Sequence, residues 1–75
     1  MNLYEVKLNT ICVVKSINIS DEKVKIRLME LGLIVGENIL VKNRSSLKKT
    51  LLIAFNSSCF TIKDVIAREI GVEYA

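Results

Sequence analysis

Acid-base, nucleophilic and metal chemistry each need particular side chains at particular spacings, and this chain holds few of them. There is no histidine among its 75 residues, so the side chain that titrates nearest neutrality is missing. Its eight carboxylates are scattered singly among the basic residues, without the close pair that drives two pKa values apart. Ser45-Ser46 and Ser57-Ser58 sit in segments that read as turns, where hydroxyls bond the local backbone, and no base adjoins them. Cys12 and Cys59 have no neighbouring thiol or imidazole with which to hold zinc or ferrous iron. Both are expected as buried thiols within strands, acting as small hydrophobes in a reducing compartment. Gly32, Gly36 and Gly71 assemble neither a P-loop nor a dinucleotide fingerprint. Arg27 could serve as an arginine finger, but an arginine beside an apolar helical stripe fits a packed surface residue better. The inventory points away from an enzyme and from any resident cofactor or metal.

Two surface features remain. Lys42, Arg44, Lys48 and Lys49 form a basic run with no acid between Lys42 and Lys49. It reads either as a solvated hairpin tip that blunts a sheet edge or as an attraction for an acidic protein surface, anionic lipid or nucleic-acid phosphate. With a net charge of only +3, and with Tyr4, Phe55, Phe60 and Tyr74 far apart in sequence, the chain lacks the interleaved basic and aromatic residues of a nucleic-acid stacking platform. The second feature is apolar. At roughly 100° per residue, Ile26, Met29 and Leu33 fall far from the stripe formed by Val24, Leu28 and Leu31, which leaves one apolar face of a helix for a partner or for a covering loop.

The elements that position these residues follow from local signals. Ser20 or Asp21 is a helix N-cap, with acidic residues in the first turn where the dipole favours them. The helix carries Val24, Leu28 and Leu31 toward the core, flanked by Arg27. It stops at Gly32, one residue past the periodic run, and Leu33 folds back on Leu28 in a Schellman-type contact. Val35-Gly36 reads as the centre of a type II turn that feeds a strand from Asn38 to Asn43. Thr10–Ile17 is apolar enough to be a strand buried on both faces. Leu51–Phe55 and Cys59–Ile62 are two further strands joined by an Asn56-Ser57-Ser58 turn. A short helix from Asp64 ends at Gly71, before a last strand at Val72–Tyr74. Short strands at close intervals with one inserted helix imply a small, strongly bent, mainly β barrel of one domain over residues 1–75. Every apolar run is broken by charge well short of the ~20 residues that span a bilayer. The start, Met1 to Lys7, lacks the basic and apolar regions of a signal peptide.

The segment Arg27-Leu28-Met29-Glu30-Leu31-Gly32-Leu33-Ile34-Val35-Gly36-Glu37 resembles the signature of the FeoA family, small cytoplasmic partners of the FeoB ferrous-iron transporter. Tyr4 to Ile17 is similar to the family's first two strands. Phe60-Thr61-Ile62-Lys63, Ile66-Ala67 and Ile70-Gly71-Val72 are similar to its closing segment. The chain departs from the family at Val35, where proline is usual, and at Arg44 to Lys49, where a Gly/Pro-rich hairpin is usual. The resemblance implies an SH3-like barrel of about five strands with one inserted α-helix and a short helix before the last strand. It further implies a non-enzymatic accessory that docks on a FeoB-type membrane GTPase transporter, located in the cytoplasm at the inner face of the plasma membrane, without insertion into the bilayer. The partner contacts expected are Ile26, Met29, Leu33, Glu37, Lys42 and Arg44, supported structurally by Leu28, Leu31, Gly32 and Gly36. Self-association stays open, and the alternative is a small basic barrel that binds nucleic acid or another cytoplasmic protein.

Overall fold

A computed structural model describes residues 1–75 and contains five strands, two α-helices and one 3-10 turn. The strands are β1 (Thr10–Ile17), β2 (Asn38–Ser45), β3 (Thr50–Phe55), β4 (Ser58–Lys63) and β5 (Ile70–Tyr74). The helix α1 (Glu22–Glu30) connects β1 to β2, and the single turn α2 (Asp64–Ala67) connects β4 to β5. All strand pairs are antiparallel, in the order β4-β3-β2-β1-β5. The fold is therefore mainly β, and register shifts between Val14 and Ser16 and between Val41 and Asn43 bend the sheet as bulges do. Its concave side holds sixteen buried residues, all apolar, among them Val14, Leu33, Ile39, Ile53 and Ile70.

The helix stop forms as its sequence requires. The Leu33 N–H donates to the Leu28 carbonyl at 2.9 Å and the Gly32 N–H to the Met29 carbonyl at 3.1 Å, the two bonds of a Schellman motif. Gly32 has φ +110, a region that side chains disfavour. The Glu37 N–H then donates to the Ile34 carbonyl at 3.1 Å, with Gly36 at φ +96, which closes the type II turn. Asp21 is the N-cap: its Oδ1 accepts from the Lys23 and Val24 N–H groups at 3.1 and 3.3 Å.

Several expectations are corrected. β1 is buried on one face only, with Cys12 and Val14 inside and Ile11 and Lys15 outside, because no second layer covers the convex side. The segment before it is a 3-10 turn at Leu3–Glu5. It is held as a turn because Leu3 and Val6 both plug the core. Gly71 does not end a helix. It lies within β5, opposite Ser16 at the β1 bulge, where any Cβ would collide with the Ser16 hydroxyl. Cys59 is exposed while Cys12 is buried, since alternate residues of β4 face outward. Leu31 is 39% exposed: it is the C-cap of α1, and only Leu28 of that helix is buried.

The two ends of the chain meet. The Val72 N–H donates to the Met1 carbonyl at 2.9 Å, and Asn2 bridges to Gly71. Arg44 fastens the same segment to β2. Its Nε and Nη2 donate to the Tyr4 carbonyl at 3.1 and 2.6 Å, Nη2 also donates to the Val6 carbonyl at 2.6 Å, and the guanidinium lies 5.1 Å from the Tyr4 ring centre.

Candidate functional site

α1 is held at its ends and stands off the sheet between them. At its start, the Ser20 hydroxyl donates to Glu69 Oε2 at 2.8 Å and the Ser20 N–H to the same oxygen at 3.3 Å. At its end, Asn56 Nδ2 donates to the Leu31 carbonyl at 3.2 Å. Asn56 can reach because it and Ser57 take positive φ values of 52 and 63, the conformation of a tight two-residue hairpin turn.

Two apolar surfaces result on opposite sides of the helix. Away from the core, Ile26 is 54% and Met29 42% exposed, and the adjoining turn leaves Ile34 and Val35 exposed as well. Facing the sheet is a groove of about 580 Å³, walled by Val24, Leu28 and Leu31 of α1 and by Phe60, Ile62 and Ile66 of β4 and α2. Arg27 and Lys63 also line it. Neither pairs with an acid, since Lys15–Glu73 at 3.7 Å is the molecule's one ion pair.

The residues expected at a partner surface divide. Ile26 and Met29 share the outward face of α1. Leu33 does not join them, because the helix stop turns it inward and it is fully buried. Arg44 is committed to the Tyr4 and Val6 carbonyls, so it is an internal clamp and not a free cation of the hairpin. Glu37 is half-buried, and its Oε1 accepts from the Asn38 N–H at 3.1 Å. Lys42 stands on the outer sheet face, with its ammonium 3.9 Å from Cys59 Sγ. Between Leu33 and Glu37 the exposed apolar side chains are Ile34 and Val35, which the sequence reading did not single out as partner contacts. The far wall of the groove had no signal in the sequence, because Phe60 and Ile62 read equally well as core.

The Cys, Asp and Glu side chains do not gather in any group of three or more that could hold a metal ion, and no helix is long and apolar enough to cross a membrane. Burial pushes the Cys12 thiol up to about 11, and its Sγ–H donates to the Ile39 carbonyl at 3.6 Å. It is an inert thiol.

The chain is similar to the FeoA protein of Chlorobium tepidum, at 28% identity and TM-score 0.89, over 99% of this chain and 70% of that one. It is also similar to Stenotrophomonas maltophilia FeoA in complex with zinc, at 26% identity and TM-score 0.83, over 97% of this chain and 89% of that one. That protein is described as a procaryotic SH3 domain protein and a candidate ferrous iron transport activating factor. A manganese-dependent transcriptional repressor, at 16% identity and TM-score 0.88, aligns with all of this chain over 41% of its own length, a likeness of fold alone. No match is found among curated proteins. The FeoA domain family matches residues 1–74, and with the SH3-like sheet and the glycine-stopped helix in place, the chain belongs to the FeoA family.

Proposed function

We propose that this chain is a non-enzymatic interaction module that docks on the cytoplasmic part of a FeoB-type ferrous-iron transporter and modulates iron uptake. The observation that carries the reading is the outward apolar face of α1. Ile26 and Met29, continued by Ile34 and Val35, stay in water on a chain that buries sixteen other apolar residues. Ile26 and Met29 adjoin at i, i+3, and an exposed apolar helix face of this kind suits a groove or a flat apolar partner. Membership of the FeoA family supplies the kind of partner. Glu37 and Lys42 serve as polar rim contacts in this reading, while Leu33 and Arg44 act only from inside. The module works by binding.

The test is binding of the purified chain to the detergent-solubilised FeoB-type transporter of the same cell, at low and moderate salt, beside a Met29→Lys variant. Saturable binding that survives moderate salt is expected, because an apolar contact is not screened. Met29→Lys is expected to melt with the wild type and to lose binding. Absence of binding at both salt concentrations removes the transport assignment, and an unfolded variant returns Met29 to the core.

A further inference from the structure

The groove on the other side of α1 lies beside an open sheet edge. β4 pairs only with β3 and ends the strand order. The β3–β4 hairpin closes at Phe55↔Ser58 around a two-residue turn, so the bonded pairs are Phe55↔Ser58, Ile53↔Phe60 and Leu51↔Ile62, as antiparallel alternation requires. The bond from the Asp64 N–H to the Lys49 carbonyl at 2.9 Å continues the same alternation by one step. The intervening residues Cys59, Thr61 and Lys63 consequently turn their N–H and C=O groups away from β3, and none of them appears in a backbone bond outside the strands. These residues are exposed, and their outward backbone groups are left without a partner strand.

Cations outnumber acids in this groove. Of the three charged residues lining the groove, Arg27 and Lys63 are cations, and the one acid, Asp21, has its Oδ1 engaged in capping α1. An occupant that satisfies both the free backbone ladder and the apolar walls is a strand, whose alternate side chains point to one face. An occupant that also satisfies the cations carries carboxylates on the intervening positions.

We propose that the β4 edge and its groove bind an extended peptide segment of a partner protein, with alternating apolar and acidic residues. The segment adds to the sheet as a sixth strand, seats its apolar side chains against Leu28, Leu31 and Ile62, and places its carboxylates beside Arg27 and Lys63. This surface lies across α1 from Ile26 and Met29, and it stands or falls independently of the docking proposed above.

The probe is the blocked peptide Ac-Thr-Val-Glu-Leu-Glu-Val-Thr-amide, titrated to millimolar concentration into the isotopically labelled chain. Amide resonances of Cys59, Thr61 and Lys63 are expected to shift and to gain protection from solvent exchange. Thr61→Pro removes an outward N–H but no β3–β4 bond, since proline is tolerated on a strand edge. It should weaken binding about tenfold, the equivalent of one hydrogen bond. The same probe N-methylated at alternate residues makes the same test on the unaltered protein, so a misfolded Thr61→Pro does not leave the result open. Arg27→Glu should weaken the acidic probe and spare a version with glutamine for glutamate. No shift at millimolar probe overturns the proposal. So does equal binding of the N-methylated probes, which would mean that the groove is filled without strand addition.

Discussion

Cys12 shows at a single residue how the core responds to pH. The folded chain holds the thiol proton to about 11 because burial penalises the thiolate, while the ordinary value is 9.0. Between these values the folded chain still holds a proton that the unfolded chain has released, so the unfolded state is favoured as pH rises. The contribution of this residue to stability is full below pH 9.0 and is lost progressively toward about 11. Thermal melts across that window are expected to fall more steeply for the wild type than for Cys12→Ala, whatever the offset between the two at neutral pH. Parallel slopes would mean that burial of the Cys12 thiol does not set the loss.

At the scale of elements, the passage from α1 to β2 carries the most information. Gly32→Val forces a β-branched side chain into φ +110, with its Cβ 3.1 Å from Asn56 Nδ2, at the point where Asn56 anchors the helix end. A loss of about 2 kcal/mol or more is expected in urea unfolding, from backbone strain together with the displaced anchor; unchanged stability would mean that the helix ends elsewhere. This stretch was legible because its signals are local: an acidic N-cap, a 3.6-residue period and two glycines with distinct duties. The strands were legible in place, but their exposure was not. Ile11, Val13 and Cys59 look as buried as Cys12 and Val14 when read one by one, and only the one-layered sheet and the outer position of β4 decide which face is wet. Leu33 was misplaced for a related reason. Helical periodicity was extended one residue past the stop, where the chain has already changed direction. The candidate surface was half legible, since Ile26 and Met29 follow from helix geometry while the groove needs β4 and α2, brought there by long-range pairing.

On the scale of the whole molecule, Arg44 matters more than any surface cation, because it ties the first residues to the middle of the sheet. Arg44→Ala deletes its bonds to two carbonyls and its contact with Tyr4. It is expected to cost about 1.5 to 3 kcal/mol, as for hydrogen bonds to a charged group. Arg44→Lys should restore only part of this, since one ammonium cannot reproduce the guanidinium fork. Chemical denaturation of the three proteins measures both effects, and a full rescue by lysine would reduce Arg44 to a simple charge.

The meeting of Met1 and Asn2 with Gly71 and Val72 bears on the order in which the fold closes. Leu3 and Val6 precede β1, yet the strand that β1 and the leading turn need beside them, β5, follows every other strand in the sequence. The sheet can be seeded by the β2–β3–β4 meander, whose pairings are local and form early. The leading segment must wait with its two apolar plugs exposed. Closure of this fold is thereby timed by the pairing of β1 with β5, which joins the residues farthest apart in sequence within the sheet and is the slowest kind of contact to find.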